Sequence, residues 1–118
     1  MLQITPDILA GAYDFLRETQ PYKAWKLPHS DDIEFHVTND KSLIGHYART
    51  PRKMDHEIGI SGFSIAHTNT LIFYMGHEMI HLYQAIKKTD VGAMHNAEFK
   101  RLAKQVCAIH GWDWKLFI

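Results

Sequence analysis

The alternation of apolar and polar positions predicts helices towards both ends of the chain and strands between them. Near the start, Thr5-Pro6-Asp7 provides a capping hydroxyl, a proline suited to the first helical position and an acid near the positive end of the helix dipole. Apolar residues then recur at helical spacing as far as the break at Pro21. We therefore predict a first helix with one buried face. That face consists of Ile8, Leu9, Ala12, Phe15 and Leu16.

Three strand signals occupy the middle of the chain. Residues 33–38 alternate apolar with polar side chains, and residues 44–49 and 56–61 are two further strand candidates. Asn39-Asp40-Lys41 predicts a turn, and residues 50–55 predict a basic hairpin tip. We expect a three-stranded antiparallel sheet in which the strands follow one another as a meander. An irregular connection with a helical turn at residues 63–66 follows.

Two more helices are predicted after the strands. The first runs from about residue 70 to residue 88, and the second runs from Ala97 to His110 with Asn96 as its cap and Gly111 as its stop. The apolar stripe of the first is Ile72, Met75, Met79, Leu82 and Ile86. The apolar face of the second is Phe99, Leu102, Ala103, Val106 and Ile109. The aromatic tail, residues 112–118, is expected to pack on the domain.

Composition narrows the class of protein. The chain has 118 residues, about the modal length of one domain, and its 46% hydrophobic and 22% charged residues indicate one ordered globular domain, residues 1–118. The predicted helices and strands place this domain in the α+β class. Net charge is zero, so binding to nucleic acid would need a local basic cluster. Cys107 is the only cysteine, which excludes an internal disulfide. The sequence shows neither a signal-peptide pattern nor a long apolar run, so we expect a soluble cytoplasmic protein.

Candidate chemistry is concentrated in His77-Glu78-Met79-Ile80-His81. On a helix, its two histidines share a face with Cβ atoms about 5–6 Å apart, and two such imidazoles can hold one Zn²⁺ ion. Glu78 then lies beside a water on the ion and can act as the general base. This H-E-x-x-H arrangement is typical of zinc metallopeptidases.

A catalytic zinc usually has a third protein ligand and an open position for water. His95 lies fourteen residues after the second motif histidine, where an antiparallel return of the last helix would bring it back to the motif. Glu98 is the main alternative, because sites with two histidines and one glutamate exist, and Asp90 is a weaker one. Gln84 and Lys87 occupy the positions that a G-x-x-H extension would need, which argues against the metzincin pattern.

These motifs resemble the SprT-like domain family of zinc metallopeptidases. The resembling positions are His77-Glu78-Met79-Ile80-His81, Tyr83, His95 and Glu98-Phe99-Lys100, with weaker similarity at Ile44-Gly45-His46-Tyr47 and residues 56–61. The resemblance spans most of the chain and implies a minimal zincin fold. It implies zinc ligation by His77, His81 and His95. It also implies catalysis by Glu78 and a role for Tyr83 in orienting the substrate or the site, with a core aromatic as the alternative.

The same resemblance implies a zinc-dependent endopeptidase that acts on protein or peptide substrates. The family includes proteases of DNA–protein crosslink repair, and a stand-alone bacterial or phage core would have this length. Asn96 departs from the glycine that usually follows the third histidine of the family.

Contact with DNA would depend on three basic clusters, for which a solvated surface is the alternative. These clusters are Arg49, Arg52 and Lys53; Lys87 and Lys88; and Lys100, Arg101 and Lys104. The alternative function is a DNA-associated binding module with a mainly structural zinc and no proteolysis. A zincin fold with neither activity is a third hypothesis.

Overall fold

Five α-helices, one short 3-10 helix (Ser30–Asp32) and three strands form the regular structure of the residues that the computed structural model describes, which are 4–39, 44–49, 56–62 and 68–118. Their bounds are α1 (Pro6–Arg17), α2 (Tyr22–Trp25), β1 (Ile33–Thr38), β2 (Gly45–Arg49), β3 (His56–Ser61), α3 (Thr68–Lys87), α4 (Ala97–His110) and α5 (Trp114–Phe117). The α+β class is confirmed. The predicted basic tip and the helical turn at residues 63–66 lie outside the described residues, as does most of the turn at residues 39–41.

The sheet is mixed, and the predicted antiparallel meander is wrong. Its strand order is β1-β3-β2, with β3 parallel to β1 and antiparallel to β2. Strand β3 takes the centre because its last four residues, Ile58 to Ser61, are buried although their side chains alternate between the two faces. Six residues separate β1 from β2. A link of that length can cross the roughly 10 Å between strands that have a third strand between them.

Helix α1 packs on β1 and on α3. Thr5 caps it as predicted, since its hydroxyl oxygen accepts a hydrogen bond from the Ile8 amide. The buried face contains Tyr13 in place of the predicted Phe15, which is 59% exposed. Tyr13 can be buried because its hydroxyl donates to the carbonyl of Pro28, which satisfies the polar end of the ring.

Helix α3 contacts the sheet, α1 and α4. Its buried surface is therefore wider than a single apolar stripe. The predicted stripe is confirmed at Met75, Met79 and Leu82, but Ile86 is exposed. Leu71, Ile80 and Ala85 are buried in addition.

Gly76 of α3 allows close packing against α2. A Cβ atom at Gly76 would lie 2.6 Å from the Tyr22 hydroxyl, which donates to the Gly76 carbonyl over 2.9 Å. Gly76 does not line the cleft described below. The glycine is therefore explained by contact with Tyr22 rather than by access to the histidines.

Helix α4 has the predicted bounds, the predicted cap and the predicted stop at Gly111, whose φ of 76° is left-handed. Cys107 completes its buried face, whereas Ile109 is exposed. The aromatic tail packs as predicted and forms α5, in which Phe117 is buried. Within the described ranges, none of the helices has the length and apolar character needed to cross a membrane.

Candidate metal centre

Three imidazoles converge beside α3. The ring centroids are 5.1 Å apart for His77 and His81, 5.0 Å for His77 and His95, and 5.3 Å for His81 and His95. One ligand nitrogen of each ring lies within 4.8 Å of the other two. The structure therefore brings together the three histidines that the sequence analysis proposed as ligands.

The alternative third ligands occupy other positions. Glu98 forms a two-point ion pair with Arg101 on the exposed side of α4, and it is not part of the histidine group. Asp90 lines the cleft next to the histidines but is exposed. Of the three candidates, His95 is the one that the fold places against the motif.

The end of the chain fixes the orientation of His77. Its Nδ1 atom lies 2.6 Å from the backbone carbonyl oxygen of Phe117. A carbonyl can only accept a hydrogen bond, so Nδ1 must carry the proton and Nε2 of the neutral ring keeps a free electron pair. A hydrogen bond of this kind orients a metal-binding histidine and selects its tautomer. The sequence analysis missed this contact because it joins residues forty positions apart.

Burial keeps the motif histidines neutral. It lowers the pKa of His77 to about 4, against the opposing effect of the Phe117 carbonyl. It lowers the pKa of His81 to about 3, and the neighbouring imidazoles act in the same direction. Phe99 contributes to this burial, because its ring lies 4.5–5.0 Å from all three imidazole centroids. At neutral pH the two motif rings are therefore uncharged and able to bind a cation.

Glu78 is the buried carboxyl group of the site. Burial raises its pKa to about 8, so without a nearby positive charge much of it holds a proton at neutral pH. A divalent cation at the histidines would favour the carboxylate. The carboxyl group can therefore accept or donate a proton near neutral pH, as a general acid–base catalyst must.

A cleft of about 540 Å³ opens beside these residues. One side is strand β2, residues 45–49, and the other includes His77, Glu78, His81 and His95. Gly45 brings the strand close to the carboxyl group, because a Cβ atom there would lie 3.1 Å from Glu78 Oε2 and 3.0 Å from the Gly59 carbonyl. Strand β2 is the edge of the described sheet on this side. The cleft therefore combines the histidines and Glu78 with an edge strand.

Asn96 connects the two helices of the site. Its Oδ1 atom accepts hydrogen bonds from the Phe99 amide at 2.9 Å, which caps α4, and from Gln84 Nε2 of α3 at 3.0 Å. Its Nδ2 atom donates to the carbonyls of Thr89 and Val91, each at 3.0 Å. The sequence predicted only the cap. The other three bonds hold the loop that presents the neighbouring His95.

Replacing Asn96 by Ala is expected to remove about 1 kcal/mol of helix capping and to weaken metal binding about 10- to 100-fold, because the loop loses its anchors. Asn96→Asp separates these effects. An aspartate keeps the capping oxygen but places a carboxylate against the Thr89 and Val91 carbonyls. We expect Asn96→Asp to keep α4 capped but to lose the loop anchors, so that zinc binding in a competition titration weakens as it does in Asn96→Ala. Zinc binding of wild-type strength in Asn96→Asp would show that the loop anchors do not position His95.

Tyr83 is not brought into the cleft. Its ring stacks on Trp25 with centroids 4.3 Å apart, and it is not among the described residues that line the cavity. This placement corresponds to the alternative of a core aromatic. The orienting role of Tyr83 stays a prediction.

Several basic residues already have partners. Arg101 pairs with Glu98, Arg49 donates to the Ala85 carbonyl, and Lys104 lies 4.5 Å from the centre of the Trp114 ring. Arg52 and Lys53 lie outside the described residues.

Comparison with protein families and curated proteins does not identify the site. Neither a protein-family model nor a curated protein matches this chain. The function must therefore be argued from the three histidines, Glu78 and the cleft that they line.

Proposed function

We propose that the chain is a zinc-dependent endopeptidase with a minimal zincin fold of the SprT-like type. The observation that carries the proposal is the convergence of His77, His81 and His95 next to the buried Glu78 in one cleft. The mixed sheet does not conflict with it, because β2 still runs alongside α3.

The donor set suits zinc. Three neutral imidazole nitrogens match a zinc site that keeps a fourth position for water, and the tautomer of His77 leaves its Nε2 free to bind such an ion. Zinc in such a site lowers the pKa of water and polarises a carbonyl group.

Glu78 would transfer the proton. Its carboxylate takes a proton from the attacking water as the water oxygen bonds to the peptide carbonyl carbon. When the carbon–nitrogen bond breaks, Glu78 returns the proton to the leaving nitrogen. Both steps need a carboxyl group that can take up and return a proton, and a cation at the histidines would keep Glu78 ionised for the first of them.

Strand β2 would hold the substrate. An extended peptide can add to an edge strand through backbone hydrogen bonds, which places its carbonyl groups along the cleft without demanding a particular sequence. We therefore propose unfolded or extended protein segments as the substrate class. Among the described contacts, none favours the alternative of a DNA-binding module, and action on DNA-associated proteins stays a prediction of the resemblance.

His95→Ala tests the proposal, with Glu98→Ala, three residues further along in the first turn of α4, as its control. We expect wild type and Glu98→Ala to bind one zinc tightly at the histidines and to cleave a disordered protein. His95→Ala should lose this zinc and the cleavage together. The measurements are zinc content after dialysis and fragment formation on gels, with a chelator-treated sample as the blank.

Two results would contradict the proposal. One is cleavage by His95→Ala at the wild-type rate. The other is a wild-type protein that holds zinc at the histidines but leaves disordered proteins intact under all conditions that keep it folded, which would favour a structural zinc.

A further inference from the structure

A second group of potential metal ligands lies on the sheet face opposite to α3. Glu34 and His36 extend from β1, and Glu57 extends from the central strand β3, directly across from Glu34. One ligand atom of each residue lies within 4.8 Å of the other two. This is the same criterion that the three histidines of the cleft meet.

The two distances from His36 to the carboxylates are those expected for ligands of one ion. His36 Nε2 lies 3.2 Å from Glu34 Oε1 and 3.1 Å from Glu57 Oε1. Two ligand atoms bound at about 2.1 Å with an angle of 90–109° are about 3.0–3.4 Å apart. Both observed distances fall in this range.

Hydrogen bonding explains the arrangement less well. The Nε2 atom of His36 is buried, yet among the described residues it makes no hydrogen bond, although two carboxylate oxygens lie within reach. An imidazolium paired with the carboxylates would direct its N–H at one of them. A nitrogen at these distances from two carboxylate oxygens, without hydrogen-bond alignment to either, is compatible with three ligands of one ion.

The sheet is shaped to support this group. His46 on β2 and His36 on β1 both lie opposite Gly59 of β3. A Cβ atom at Gly59 would lie 2.0 Å from the His46 ring, so only glycine lets this imidazole lie across the central strand. In that position His46 Nε2 is 2.8 Å from Glu57 Oε2, the oxygen that does not face His36. A histidine bonded to the second oxygen of a ligating carboxylate is a common support of metal sites.

We propose that Glu34, His36 and Glu57 bind a second divalent transition-metal ion, with His46 orienting Glu57. One imidazole and two carboxylates suit zinc or manganese better than calcium or magnesium, which prefer all-oxygen sites. The ion would join β1 to β3 directly and β2 through His46. Strand β2 forms one side of the cleft, so an ion on the opposite face of the sheet would also hold this strand in position.

Counting zinc equivalents in the full chain tests this site. The metal-free protein is titrated with zinc against a coloured chelator at pH 7.5, and wild type is compared with Glu57→Gln and Glu34→Gln. Both changes keep the shape of the side chain. Each is expected to weaken one equivalent at least tenfold and to leave the other equivalent unchanged. His46→Ala should weaken the same equivalent about 10- to 100-fold.

Glu98→Gln is the control for the loss of one carboxylate, and it should bind the same number of zinc equivalents as wild type. The decisive quantity is the difference of one equivalent between wild type and the sheet variants, which does not depend on whether the cleft histidines bind zinc. Equal zinc binding by wild type, Glu57→Gln and Glu34→Gln would overturn the proposal. Circular dichroism confirms that each variant is folded, and His36→Ala provides an independent third variant.

Discussion

Replacing Glu78 by Gln is expected to lower the cleavage rate of a disordered protein about 10²- to 10⁴-fold, the usual contribution of a general base. Zinc content should stay at the wild-type value, because Glu78 is separate from the three histidines that form the ligand group. The amide cannot take a proton from water, although it fills the same space beside Gly45. Initial rates of fragment formation at saturating zinc measure the effect.

Glu98→Gln is again the matched control, since it makes the same chemical change on the exposed side of α4. It should cleave at the wild-type rate. Loss of zinc from Glu78→Gln would assign the carboxyl group to the metal instead of to the water. Equal cleavage by Glu78→Gln and wild type would remove Glu78 from the mechanism.

The parts of this site that the sequence predicted depend on local signals. The spacing of His77 and His81 follows from one helix, and Asn96 and Gly111 mark the ends of α4 with side chains that act within a single turn. His95 was placed by assuming that α4 returns along α3, and the ring distances agree with that assumption.

The parts that the sequence did not predict depend on partners far along the chain. Strand order was wrong because the alternation of residues 33–38 shows that a strand exists but not which strand pairs with it. The contact between His77 and the Phe117 carbonyl involves a backbone atom, which every residue has, so composition carries no signal for it.

The side chains that were wrongly predicted to be buried share one physical explanation. Phe15, Ile86 and Ile109 fit the apolar spacing of their helices but lie at the exposed side. Periodicity defines a broad stripe, and the neighbouring elements decide which part of the stripe is covered. On α1 the buried part of the helix surface includes Tyr13, whose hydroxyl donates a hydrogen bond to the Pro28 carbonyl.

The metal-free protein is expected to be most stable near pH 6.5. The pKa values of His77 and His81 are lower in the folded chain than the ordinary 6.5, so the unfolded chain binds more protons as the pH falls below 6.5. Glu78 has the opposite effect, because its folded pKa of about 8 lies above the ordinary 4.5. Its contribution to stability is complete below pH 4.5 and is lost as the pH rises towards 8.

These effects give slopes of opposite sign on the two sides of the maximum. Between pH 4.5 and 6.5 these two histidines outweigh Glu78 by about one proton, which corresponds to about 1 kcal/mol per pH unit after allowing for solvent screening at the partly exposed His81. The lowered pKa values of His95 and His110 add to this slope in the same direction. Between pH 6.5 and 8, Glu78 alone lowers the free energy of unfolding by about 1.4 kcal/mol per pH unit. Urea unfolding of chelator-treated protein at pH 4.5, 6.5 and 8 measures both slopes.

Glu78→Gln isolates the contribution of the carboxyl group, because all other titrating groups are common to the two proteins. The free energy of unfolding of the variant should no longer decrease above pH 6.5, and below pH 6.5 its slope should be steeper than that of wild type by about one proton, since Glu78 no longer offsets the histidines. A parallel pair of stability curves for wild type and Glu78→Gln would contradict the raised pKa of Glu78. Zinc should raise the free energy of unfolding of both proteins without flattening the acid side, because the bound imidazoles stay neutral while those of the unfolded chain still take up protons below pH 6.5.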